Sequence, residues 1–289
     1  MDSKNPVLKT LIYSNIFNFP LKEEEIWAYL ISDKKITRKK FQTFFKDKRI
    51  SNKNGFYFLK GKEKLVKERE IKTKESFKKL EKAKKIAHIL SKVPSIYLIA
   101  ITGSLSLLNS KKEEDIDFFI ISSKNTVWIT RLISIIFLKY LGVYRKKNEK
   151  NVRDKICLNM IIGENKLTLG KNRKDLYSAH EIIQILPLFE RDKTLTKFFK
   201  KNSWIRNFMP NAFSIKKELN FPSKKVKLWQ IKILRIFEFI ARSLQFMFMK
   251  KNITIETVSK DFLAFHARDY KSEILESFNN KIKKYEEKV

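Results

Sequence analysis

Ile101-Thr102-Gly103-Ser104-Leu105-Ser106-Leu107-Leu108-Asn109, then a short acidic link, then Asp115-Ile116-Asp117-Phe118-Phe119-Ile120-Ile121: this stretch decides how the rest of the 289-residue chain is read. An apolar run of strand length, residues 97–101, ends on Gly-Ser. A short helix is predicted to start there, and a second apolar strand opens with two acids two positions apart. Gly103 lets a phosphate approach the backbone closely. The N–H groups of the helix start, with the Ser104 hydroxyl, make an anion site. Residues two apart on a strand project from one face, so Asp115 and Asp117 present their carboxylates together. Two hard oxygen ligands on one face suit Mg2+ or Mn2+, whose shell is completed by water and substrate phosphates.

The order of strand, Gly-Ser, short helix, about ten residues and Asp-x-Asp resembles the DNA polymerase beta-like nucleotidyltransferase superfamily, over residues 97–164. The resemblance implies transfer of a nucleoside monophosphate from a nucleoside triphosphate, with pyrophosphate leaving. It implies that Gly103 and Ser104 hold the triphosphate, and that Asp115 and Asp117 are the catalytic carboxylates coordinating two metal ions. Active members carry a third carboxylate on a later strand. The matching strand here, residues 155–161, has Asn159 at that point; Asp154 and Glu164 would serve only in another register. Two readings therefore stand: a Mg2+-dependent nucleotidyltransferase acting on an unnamed acceptor, or a catalytically inactive nucleotidyltransferase fold that binds nucleotide or DNA as a regulator. The runs 175–181 and 265–269 are similar to C-terminal segments of bacterial members of the superfamily.

Working outward, residues 126–144 read as a helix and 155–162 as a third strand, so strands alternate with helices and imply a helix-covered sheet. Residues 62–92 lack Gly and Pro and carry Leu80, Ala83, Ala87 and Leu90 on one face, a connecting helix stopped by Pro94. Before it, apolar periodicity marks helices at 7–16, 23–31 and 37–46. Asn54-Gly55 then marks a two-residue hairpin turn. Three helices and a hairpin outline a winged helix, with Arg38, Lys39, Lys40, Lys46, Lys48 and Arg49 as cations available to nucleic acid. The aromatic residues Phe41, Phe44, Phe45, Phe56, Tyr57 and Phe58 have the spacing of a core rather than of a base-stacking surface. After Gly170 the pattern is helical at 175–186, 193–202, 227–250, 255–264 and from 270 onward. The expected fold is α+β: a winged-helix-like module at 1–61, a connecting helix at 62–94, a small mixed-sheet nucleotidyltransferase core at 95–165, and a mainly helical region at 166–289.

Composition narrows the function classes. With 43% hydrophobic residues, 24 of them Phe, the chain has ample apolar surface for a core. Its net charge of +32 suits a polyanionic partner such as nucleic acid, but the excess runs along the whole chain and follows a Lys, Asn, Ile and Phe bias that an AT-rich coding sequence also produces. Cys157 is the only cysteine, which excludes an intramolecular disulfide and a cysteine-built zinc site and fits a cytoplasmic protein. It is read as a small apolar residue within its strand. His88, His180 and His266 lack metal-ligand spacing. The apolar stretches 128–144 and 228–249 approach membrane length but are interrupted by Arg131 and Lys139, and by Lys232, Arg235, Glu238 and Arg242. No transmembrane segment and no export signal are expected. In the second stretch the charges form one stripe on an apolar helix, whose apolar face is expected to pack on protein.

Overall fold

The computed structural model describes residues 5–168, 170, 173–212, 226–250, 257–265 and 270–286. Its first unit runs α1 (Pro6–Ile16), β1 (Leu21–Lys22), α2 (Glu23–Ala28), α3 (Arg38–Thr43), β2 (Ile50–Lys53) and β3 (Phe56–Leu59). Asn5 caps α1 by accepting from the Val7 and Leu8 N–H groups, with Pro6 at the first helical position. Thr37 caps α3 through the Lys40 N–H at 3.3 Å. Asn54 and Gly55 both have positive φ, +53° and +75°, the backbone that turns β2 back onto β3. β1 joins the far side of β3, giving the order β1-β3-β2. At two residues, β1 is too short to leave an alternation in the sequence. α2 also stops earlier than the periodicity suggests, and α3 gives way to a 3-10 turn over Phe44–Lys46.

This unit does not keep its core to itself. Leu8, Ile12, Ile26 and Phe41 pack in one cluster with Leu176, Ile274 and Phe278 from the other end of the chain. Asn211 seals the join by accepting from the Ile36 N–H and donating to the Ile36 carbonyl, at 3.1 and 2.9 Å. The expected connecting helix is α4 (Lys64–Leu90), with Ala83, Ala87 and Leu90 buried. It also buries Arg69, Ser76 and Lys79, each with at least one polar partner, although Arg69 Nε and Nη1 have none among the described residues. Arg69 pairs with Glu25 at 2.8 Å over the Phe19 ring, Ser76 accepts from the Ser110 N–H at 3.0 Å, and Lys79 donates to the Glu114 carbonyl and to Asp154. α4 is thereby bonded to both units.

The remaining elements are β4 (Ile96–Ile101), α5 (Gly103–Ser106), β5 (Ile116–Ser122), α6 (Val127–Tyr140), β6 (Ile156–Gly163), α7 (Leu176–Ile183), β7 (Leu186–Glu190), α8 (Thr194–Lys201), α9 (Leu228–Met249), β8 (Thr257–Val258), β9 (Phe262–Ala264) and α10 (Tyr270–Glu286). The sheet order is β7-β4-β5-β6-β9-β8. β5 and β6 are parallel, as the crossover helix α6 requires, and the other pairs are antiparallel. One face packs on α4 and α6 and the other on α7 and α8, so β4 is buried at every residue and reads as an unbroken apolar run.

Two expectations for the C-terminal region are corrected. The described part of the helix expected at 255–264 is instead the hairpin β8-β9. The helix expected at 175–186 ends at Ile183, and Leu186 instead opens β7, an edge strand where the missing N–H of Pro187 is tolerated. The region is largely helical, yet it supplies three strands to the sheet. Such short strands take their conformation from the sheet they join, which local sequence does not record.

α9 is a third correction. It buries a single stripe, Ile231, Glu238, Ala241 and Gln245, against α6. Glu238 accepts from the Trp128 and Ile129 N–H groups at the start of α6, at 3.0 and 2.8 Å. Gln245 donates to the Trp128 carbonyl and accepts from Arg131. The apolar face expected to be covered is exposed instead. Among the described residues, no helix is long and apolar enough to cross a membrane.

Candidate active site

The site forms where β4 ends and β5 begins. The Thr102 N–H donates to the Asp117 carbonyl at 3.0 Å, fixing the glycine turn against the acidic strand. Gly103 has φ +65°, and a Cβ there would lie 2.9 Å from Asp117 Oδ2, so a side chain would be strained by the backbone and would push the Asp117 carboxylate aside. Asp115, Asp117 and Cys157 bring one ligand atom each to within 4.8 Å of one another. The two carboxylates share a face as the spacing implied, and Cys157 enters because β6 lies parallel to β5 with Cys157 in register with Asp117. Cys157 is thus a wall of the acidic site, a correction to its reading as a plain apolar strand residue.

Burial and the neighbouring Asp115 raise the Asp117 carboxyl well above the usual range. Burial, then the two carboxylates, push the Cys157 thiol up as well, so it remains protonated and offers a hard cation little. The donor set that fits Mg2+ or Mn2+ is therefore the carboxylate pair. A cationic side chain already answers it: Arg145, on the loop after α6, donates from Nη1 to Asp115 Oδ2 at 2.6 Å. Its position follows from the return of the chain at Tyr144 to bridge Ile156.

The Ser104 hydroxyl donates to Glu114 Oε2 at 2.6 Å, and the same oxygen accepts from Ser110 and from the Lys111 N–H. Glu114 thus staples the loop between α5 and β5. In this state the Ser104 proton is committed to the loop.

No acid lies at the β6 positions beside the pair. The register slips between the Cys157 and Met160 pairings. Asn159 stands beside Thr102, its Nδ2 3.5 Å from the threonine oxygen. Asp154 is held by Lys79 and Lys82, and Glu164 accepts from the Lys124 N–H at 3.0 Å, so both carboxylates are engaged elsewhere. A further carboxylate whose charge acts on Asp117 is Glu181, on α7. It lines a cavity of about 620 Å3 together with Thr102, Asn159, Tyr177 and Ser178, against apolar walls that include Phe119, Met160 and Phe198. Among the described residues Glu181 has no hydrogen bond or ion pair, and burial pushes its carboxyl up to about 7. Its negative charge is close enough to Asp117 to raise that group further. Sequence reasoning set out the run containing Glu181 without giving that residue a role, and Arg145 carried no motif. The available signal for Glu181 was an acid one residue after His180, on a helix otherwise facing the core.

The cations of the first unit are less free than their number suggests. Arg38 makes two hydrogen bonds to Glu24, and Arg49 is doubly bonded to Asp47 and also reaches the Tyr285 carbonyl. Lys39, Lys40, Lys46 and Lys48 are exposed. The aromatic residues pack as a core: Phe41 meets Trp27 and Phe45, and Phe45 meets Tyr57. His180 is buried, stacked on Tyr13 at 4.0 Å, with Nδ1 3.0 Å from Gln184 Nε2. His266 lies outside the described residues. No family model, no curated protein and no solved structure matches this chain.

Proposed function

We propose that this chain is a divalent-metal-dependent nucleotidyltransferase that moves a nucleoside monophosphate from a nucleoside triphosphate to an acceptor hydroxyl or amine. The observation that carries the reading is the convergence of Asp115 and Asp117 on a glycine turn so close that a Cβ at Gly103 would strike Asp117. In this reading β4, α5, β5, α6 and β6 are the core of the polymerase beta-like fold, and the N-terminal unit is a winged helix used for packing. Bound Mg2+ or Mn2+ would supply charge neutralisation for the attacking and leaving oxygens, with Asp115 and Asp117 as its holders.

The chain's own residues account for the remainder. The backbone of the Gly103 turn leaves room for phosphate, and Arg145 can exchange Asp115 for a phosphate oxygen. The acceptor occupies the cavity beside Thr102 and Asn159. As its oxygen or nitrogen bonds to the α-phosphorus, Glu181 takes the proton and pyrophosphate departs. A carboxyl poised near 7 by burial suits that task, and it stands in for the acid missing from β6.

Calorimetry with each nucleoside triphosphate tests the reading. Binding that requires Mg2+ or Mn2+ and disappears in Asp115→Asn/Asp117→Asn is expected; absence of metal-dependent binding in the wild type overturns it. The competing reading, a catalytically inactive nucleotide-binding regulator, draws on the uncharged Cys157 and Asn159 of β6. It expects the same binding with no transfer.

A further inference from the structure

We infer that the outer face of α9 docks on an anionic lipid surface. The helix is 22 residues long and exposes eleven large apolar side chains, among them Trp229 at 56%, Ile236 at 71%, Phe239 at 76% and Phe248 at 74%. Together they put on the order of 1,000 Å2 of apolar surface into water, beyond the roughly 300–600 Å2 of the largest patch on an ordinary monomer. Ile136, Phe137 and Tyr140 of α6 extend it.

Charge identifies the occupant. Lys139, Lys227, Lys232, Arg235, Arg242 and Lys250 are exposed on or beside these two helices. α6 carries no acid, and the one acid of α9, Glu238, is buried against the start of α6. At 100° per residue, Lys232, Arg235 and Arg242 fall on one flank of the buried stripe, while Trp229, Ile236, Ile240 and Met247 point outward. That is the layout of an interfacial helix: the apolar face sinks about 5–10 Å into the headgroup boundary and flanking cations reach the phosphates. A second copy fits poorly, because it would bring the same cations and another net charge of +32 to the contact. A coiled-coil partner would meet Phe237, Phe239, Leu244 and Phe246 where such helices carry the charges that choose a mate.

The test is flotation of gel-filtered, full-length protein with vesicles of phosphatidylcholine, with and without one-third phosphatidylglycerol. Binding at least about tenfold greater on the anionic vesicles is expected, weakened by salt, with a blue shift in the emission of Trp229. Ile236→Glu/Ile240→Glu should abolish binding, and Lys232→Glu/Arg242→Glu should remove the preference for the anionic lipid. Ile71→Glu, an exposed apolar site on α4, should change nothing. Circular dichroism checks that each variant is folded. Absent or equal binding to the two vesicle types overturns the proposal. So does a dimer in gel filtration that Ile236→Glu/Ile240→Glu converts to monomer, which would assign the face to a second copy.

Discussion

At the mouth of β5 the fold draws two carboxylates together, with Arg145 hydrogen-bonded to Asp115; along α9 it leaves isoleucine, phenylalanine and tryptophan exposed to water. Both arrangements cost stability, in opposite ways, and neither contributes to the core. The rest of the molecule obeys the usual partition. Glu114 and Asp154, close to the site, are each saturated by hydrogen bonds or lysines. Glu238, buried in the α9 stripe, caps a helix. Among the described residues Glu181 has no side-chain hydrogen bond and Asp115 accepts only from Arg145, the contrast that motivates the chemical role proposed for them.

The largest expected effect breaks the first region alone. Asp117→Asn should lower transfer by about a thousandfold, the scale of losing a key electrostatic group, while melting remains cooperative. Glu181→Gln should lower kcat by about a hundredfold with little change in KM, as for loss of a general base. Its stability has a sign. A carboxyl raised to about 7 in the folded chain gives stability that is full below the unfolded value and lost as pH rises through 7. Gln does not titrate, so the variant should melt higher than wild type above pH 7 and lose that advantage in acid.

Next comes a residue of the saturated kind. Lys79→Met leaves the Glu114 carbonyl without its ammonium partner and should cost about 2 kcal/mol in denaturant unfolding, with nucleotide binding retained. His180 gives a slope rather than a step. Burial depresses its pKa to about 3, so between that value and its unfolded pKa only the unfolded chain takes up the proton. Stability should fall as pH drops from about 6.5 toward 3, and His180→Phe, stacked on Tyr13 in the same way, should flatten that fall in a thermal melt series. The smallest effect belongs to α9: Ile236→Glu should shift unfolding by less than about 0.5 kcal/mol, because the side chain already stands in water. A large loss there would mean that the face is covered in the folded protein.

Much of this was legible from local pattern. The Gly-Ser turn and Asp-x-Asp placed Gly103, Asp115 and Asp117 together because glycine at positive φ and a two-residue strand period are local rules. Asn54-Gly55 fixed the hairpin and Thr37 the start of α3 for the same reason. What escaped depends on distant partners. β7 and β9 are strands because β4 and β6 offer them edges, and β8 because β9 does. Cys157 joins the acids through a parallel register set by a crossover. Glu181 arrives from a helix that follows the strand expected to supply the third acid. α9 misled in another way: its charges implied a polar stripe on a packed helix, yet Glu238 and Gln245 bury and the apolar face does not.

The most direct test of the account is label transfer from nucleoside triphosphate carrying phosphorus-32 at the α or at the γ position, with Mg2+ and a cell lysate as the source of acceptor. α-Label, and no γ-label, should appear on an acceptor with wild-type protein, and neither with Asp115→Asn/Asp117→Asn. Transfer of γ-label, or α-transfer that survives in the double variant, would contradict it.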